Sequence, residues 1–142
     1  MFRMIAICAL ALAHTSPTIA SESLAAEGKE VEQMIAQYFP DKYSTMVAIA
    51  SCESTGLVHR ESDGSLIKNH GGGSARGVFQ VLMRVHAPEM KKMGLDPNND
   101  DDYMTYVRHL TKEYGLSPWN ASKKCWKNKL HKYKKPVLLA MS

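Results

Sequence analysis

The chain has 142 residues, of which 44% are hydrophobic and 23% charged, and a net charge of +4. That is one domain's worth of chain, able to bury roughly two-thirds of the surface its unfolded form exposes. It carries no internal repeat or low-complexity linker. Cys52 and Cys125 cannot make a structural zinc site alone, and His59, His70, His86, His109 and His131 show no ligand spacing with them.

The chain opens like an export signal. Arg3 supplies a short positive region, Met4 to Ala13 is apolar but too short to span a bilayer well, and small residues follow. Residues 1–20 read as a signal peptide with cleavage after Ala20, and Ala11-Leu12-Ala13 offers a second site. Cys8 sits in the apolar stretch without a lipobox. Removing Arg3 with this segment leaves a mature domain, residues 21–142, with a charge of +3. Cys52 and Cys125 are then its two cysteines. In an exported, periplasmic or extracellular protein a disulfide is their default state.

A first helix should run from a cap at Ser21 or Ser23 to about Phe39, with Val31, Met34, Ile35 and Tyr38 on one face. Pro40-Asp41 breaks it. A second helix covers about Tyr43 to Ser54. Met46, Ile49 and Ala50 form its apolar face, and Glu53 is the next residue on that face. Leu57-Val58-His59 and Leu66-Ile67 flank the turn sequence Ser62-Asp63-Gly64-Ser65 and predict a small hairpin. Residues 69–74 are a Gly-rich loop.

Helical pattern resumes from Val78 to His86 and from Pro88 to Met93, where Gly94 can cap the end. The polar stretch 96–102 leads into a long helix. Tyr103, Val107, Leu110 and Tyr114 mark its buried face and Gly115 its stop. Its acids lack the Gly and terminal Glu of a calcium loop. Ser117-Pro118 reads as the cap and first residue of another short helix. The fold class is therefore mainly α (α+β), a single domain with a small β hairpin.

Glu53 is the principal chemical candidate. A carboxylic acid can deliver a proton to a poor leaving group near neutral pH when a dry site raises its pKa. A glutamate that ends a buried helix face meets that condition. Glu61 and Asp63 are the acids near the hairpin that a two-carboxylate mechanism would draw on, although Asp63 before Gly64 is more simply a turn residue.

Three blocks occur in order: Cys52-Glu53-Ser54, then Ser74-Ala75-Arg76-Gly77-Val78-Phe79-Gln80, then Trp119-Asn120-Ala121-Ser122. Together they resemble the lytic transglycosylases of the soluble-lysozyme-like type, in the lysozyme-like superfamily. That family reads Glu-Ser, then Gly-Ala-x-Gly-Leu-Met-Gln, then Tyr-Asn-Ala-Gly. The similarity spans about Val47 to Trp126.

The resemblance implies a lysozyme-like fold in which Glu53 acts as catalytic acid and then base. Ser54 would support the helix end or the carboxylate, Gln80 would line the sugar cleft, and Trp119 and Asn120 would form its opposite wall. Trp119 stands where the family has Tyr, which removes a hydroxyl near the acid. Tyr103 or Tyr106 is the expected replacement, and Tyr106 is taken as a substrate-binding residue.

The implied reaction cleaves the peptidoglycan glycan strand between N-acetylmuramic acid and N-acetylglucosamine and leaves a 1,6-anhydromuramic product. The alternatives are a muramidase that uses water and a secreted glycan-binding protein without turnover. No cofactor or metal is expected, and the chain should be a monomer.

Lys123, Lys124, Lys127, Lys129, Lys132, Lys134 and Lys135 stand in a stretch with no acid. They suit an anionic polymer or surface. Trp126 and Tyr133 are too few aromatics for nucleic-acid readout, so no nucleic-acid partner is expected.

Overall fold

The computed structural model describes residues 17–134, with side chains from residue 21 onward. Residues 1–16 of the expected signal segment and Lys135 of the basic stretch lie outside the described residues. The described chain is mainly helical with one small sheet. In order come α1 (Pro17–Tyr38), α2 (Tyr43–Glu53), a 3-10 turn at Thr55–Leu57, β1 (Ala75–Arg76), β2 (Val81–Leu82), α3 (Met83–Lys92) and α4 (Asp100–Tyr114). A 3-10 turn at Ser117–Trp119, α5 (Lys123–Lys129) and a last 3-10 turn at Leu130–Lys132 complete the described chain. No helix among the described residues is long and apolar enough to cross a membrane.

Helix α2 is the centre of the molecule. Met46 through Ala50 are buried on every side, packed by α1, α5 and the neighbouring 3-10 turns. Burying each of its larger side chains contributes about 2 kcal/mol relative to exposure. Val31, Ile35 and Phe39 of α1 and Tyr103, Met104, Tyr106, Val107 and Leu110 of α4 join the same core, closed at the far end by Trp119 and Trp126. The apolar face foreseen for α2 is present, and its end falls at Glu53.

Several elements differ from expectation. Helix α1 runs from Pro17 rather than from a cap at Ser21 or Ser23, and proline suits the first helical position, where its missing N–H is no loss. It therefore runs across the boundary expected at Ala20. The hairpin of residues 57–68 shrinks to a single bridge, Arg60 with Leu66. The reason is distant in sequence: the amides of His59 and Arg60 both donate to Glu27 Oε1 on α1, at 3.0 and 3.2 Å.

The two-stranded antiparallel sheet forms instead between β1 and β2, with Ala75 opposite Leu82 and Arg76 opposite Val81. Residues 77–80 are the turn that joins these strands, not the start of a helix, since Gly77 (φ 73°) and Gln80 (φ 50°) both occupy the left-handed region. Helix α3 then runs unbroken through Pro88.

At its end Leu95 N–H donates to Met90 O and Gly94 N–H to Lys91 O, a Schellman closure around Gly94 at φ 74°. Helix α4 is capped by Asn99, whose side chain accepts from Asp102 N–H. Its buried face carries Thr111 in place of Tyr114. Tyr114 is 57% exposed, because the chain leaves the helix at Gly115. Ser117 does not cap the next turn but is its first residue, and its hydroxyl donates back to Tyr114 O.

Candidate functional site

Glu53 sits where α2 ends. Ser54 closes the helix, with its amide and its hydroxyl both donating to Ala50 O. Glu53 is half-buried beside a hollow of about 320 Å³. Ser54, Thr55 and Val58 line the same side. Ile67, Lys68, Asn69, His70 and Gln80 complete the lining. Among these residues Glu53 is the sole carboxylate.

Gln80 also lines a second hollow of about 260 Å³, with Leu82, His86, Tyr114, Pro118 and Trp119. The two hollows share Gln80 in their walls and outline a candidate groove, with Glu53 in the first of them.

The loop that carries Gln80 is fixed from below. The Tyr103 hydroxyl donates to Arg76 O at 2.9 Å and accepts from Phe79 N–H at 3.1 Å. Burial pushes the Tyr103 phenol far above its ordinary range, so it remains a neutral donor. Gly77 is required here. A Cβ at this position would stand 2.6 Å from the Tyr103 ring, and the backbone is left-handed. Gln80 donates its side-chain amide to Gly77 O at 2.9 Å, so it braces the turn as well as lining the groove. Trp119 is buried and donates to Phe79 O at 2.9 Å, which ties the groove's far wall to the same loop.

The environment of Glu53 is sparse. Ser122 Oγ donates to Glu53 Oε1 at 2.5 Å. Among the described residues no ion pair involves this carboxylate. Lys129, which reaches the same helix end, donates to Ser51 O at 2.9 Å instead. Burial raises the Glu53 pKa above its ordinary value, and the Ser122 hydrogen bond offsets part of that rise. The carboxyl group is therefore partly desolvated, hydrogen-bonded on one oxygen and, among the described residues, not neutralised by a cation.

Cys52 and Cys125 form a disulfide, with Cα atoms 6.1 Å apart. It ties the residue before Glu53 to α5, three residues beyond Ser122. Disulfides persist in oxidising environments. No family model matches the chain, and no curated protein or solved structure is significantly similar to it.

Glu53, Ser54 and Gln80 line one hollow, and Gln80 and Trp119 the other. Tyr106 and Asn120 line neither. The Tyr106 hydroxyl lies under α3, 2.8 Å from both Glu89 Oε2 and His86 Nδ1. Asn120 is exposed and takes part in the turn through its backbone.

The other two acids that sequence reasoning raised are committed elsewhere. Asp63 accepts from Ser65 N–H and Oγ–H, at 2.9 and 2.6 Å, as a turn residue does. Glu61 accepts from Lys68 N–H at 3.1 Å. The hydroxyl that reaches Glu53 is that of Ser122, and not of Tyr103 or Tyr106. Its place in sequence, two residues after Asn120, was its one signal.

A larger hollow, about 620 Å³, lies on the other side of residues 58–67, which contribute Val58 and Ile67 to both. Three of its four acids are occupied: Glu27 holds the two backbone amides, Glu61 accepts from Lys68 N–H and Asp100 is paired with Arg60, while Glu30 is exposed. The Glu53 groove is the better chemical candidate despite its smaller volume.

Proposed function

We propose that this protein cleaves the glycan strands of peptidoglycan, with Glu53 as its sole acid and base. One observation carries the reading: a half-buried carboxyl group with a raised pKa and, among the described residues, no cationic partner and no second carboxylate in its hollow, which shares Gln80 with a second hollow. Hydrolysis of a glycosidic bond ordinarily uses two carboxylates. With one, the substrate must supply the second function.

Glu53 then gives its proton to the glycosidic oxygen as the bond to the muramic C1 breaks. The N-acetyl group of the same sugar stabilises the positive centre. The sugar's own 6-hydroxyl attacks C1 and passes its proton to the Glu53 carboxylate, which restores the acid and leaves a 1,6-anhydro end. The motif resemblance over Val47 to Trp126 points to the same chemistry. The disulfide fits a place of action outside the cytoplasm, as the export-like first residues suggest. Lys123, Lys124, Lys127, Lys132 and Lys134 are exposed and are available to an anionic wall polymer.

The test is Glu53→Gln assayed on purified peptidoglycan. Turnover should fall by at least ~10², the size of a lost general acid, while sedimentation with the polymer is kept. Near wild-type turnover in this variant would remove Glu53 from the mechanism.

A further inference from the structure

Ser122 leads into α5, where a serine's ordinary work is to cap the helix. Its side chain makes no capping hydrogen bond. Its hydroxyl instead has two acceptors in reach, Glu53 Oε1 at 2.5 Å and Trp119 O at 3.2 Å. Trp119 O already accepts from Trp126 Nε1 at 3.1 Å. A hydroxyl has one proton to give, and an ionised carboxylate is the stronger and here the nearer acceptor.

The pair is also held from both sides. Glu53 follows Cys52, and Ser122 stands three residues before Cys125, so the disulfide closes directly on it. Ser122 does not line the hollow that Glu53 lines. With Oε1 taken, Oε2 is the oxygen that has no hydrogen bond among the described residues.

We infer that Ser122 is a positioning residue for Glu53, whose hydroxyl occupies Oε1 and so assigns Oε2 as the oxygen that delivers and recovers the proton. This rests on the reading of Glu53 as the acid and base. The hydroxyl favours the ionised form, so it matters most in the second half of the reaction, when the carboxylate must wait for the proton of the attacking hydroxyl. It also offsets part of the rise in pKa that burial causes.

The other titratable groups around Glu53 are Lys68 and His70 across the hollow, Tyr103 beneath the loop and Lys129 at the helix end. His70 is an ionisable group lining the same hollow, so a rate profile alone would not identify Glu53.

The experiment follows the Glu53 carboxyl directly, by ¹³C NMR titration of carboxyl-labelled protein, in wild type, Ser122→Ala and Ser122→Thr, beside the pH dependence of kcat/KM. Glu53→Gln identifies the signal. In Ser122→Ala, Glu53 should titrate at higher pH, the alkaline limb of kcat/KM should move the same way, and kcat should fall about tenfold, the size of one charge-assisted hydrogen bond. Ser122→Thr, which keeps the hydroxyl, should restore all three.

An unchanged Glu53 titration in Ser122→Ala would overturn the inference, and so would a threonine variant that behaves like alanine. The titration does not need turnover. If it shifts as expected while the wild type releases no glycan fragment, the coupling of Ser122 to Glu53 is supported and only the reading of the reaction falls.

Discussion

Two places in this molecule hold carboxyl groups near the same segment, residues 58–67, and treat them in opposite ways. On one side Asp100 takes the guanidinium of Arg60 through both Nε and Nη2, and Glu27 takes two backbone amides. Arg60 also donates to Gly64 O and Asn98 O, each at 2.6 Å. These acids knit α1, the 59–66 turn and the start of α4 together.

Buried His59 belongs to the same knot. Its Nδ1 accepts from Val78 N–H, which leaves the proton of the neutral ring on Nε2. That atom lies 3.2 Å from Asp100 Oδ1, off the line of a hydrogen bond. On the other side Glu53 has a single neutral hydroxyl and no cation. A carboxylate saturated with donors has its free energy spent on the fold. One that is desolvated and underserved destabilises the fold slightly and remains reactive. The contrast separates structural acid from chemical acid without reference to the size of either hollow.

The largest effect on this comparison should come from the covalent clamp at the Glu53 end. Cys52→Ser and Cys125→Ser should each lower stability by roughly 2–5 kcal/mol, and both should lose turnover at a lower temperature than the wild type because Glu53 and Ser122 come apart. The double variant should be no worse than either single. Thermal melts with parallel activity would check this, and two free thiols in the native protein would contradict it.

Breaking the other side should separate stability from chemistry. Arg60→Ala strips Asp100 of its partner and frees three carbonyl and carboxylate contacts, so it should cost about 2 kcal/mol. At a temperature where the variant remains folded, kcat should stay within about twofold of wild type. A large loss of kcat in folded Arg60→Ala would end the division between the two regions.

The smallest effect has the most specific sign. Burial raises the Glu53 pKa in the fold. The native state thus holds this proton more tightly than the unfolded chain does, and stability falls as pH rises from the unfolded glutamate value through the folded one. Glu53→Gln removes that penalty. It should melt higher than wild type at neutral pH, and the advantage should vanish below about pH 4, where both forms are neutral. His59 acts in the other direction. Burial lowers its pKa, so the unfolded chain takes up the proton first and stability declines as pH falls below about 6.5. Melts compared at a single pH against wild type cancel that shared term.

Much of the scaffold was legible in the sequence because its causes are local. The i, i+3, i+4 spacing of Met46, Ile49 and Ala50 placed Glu53 at the end of a buried face. Gly94 and Gly115 marked helix ends, and two cysteines in an export-like chain pointed to the disulfide. What was not legible depends on partners far along the chain. The hairpin failed because Glu27, 32 residues before His59, captures its amides. The turn at 77–80 depends on a tyrosine hydroxyl 24 residues beyond Phe79. Gln80, a non-glycine residue at positive φ, gives no warning in a pattern that otherwise reads as helical. Ser122 meets Glu53 across 69 residues, and at the start of a helix it reads as a cap.

The most direct test of the central claim, that one carboxyl group serves the groove, is the mass of the product. The wild-type protein, incubated with purified peptidoglycan, should release muropeptides lighter than hydrolysis products by one water, roughly 18 Da, and without a reducing end, because the substrate's own hydroxyl replaces the hydrolytic water. Muropeptides of the full hydrolytic mass, with reducing ends in stoichiometric amount, would contradict it.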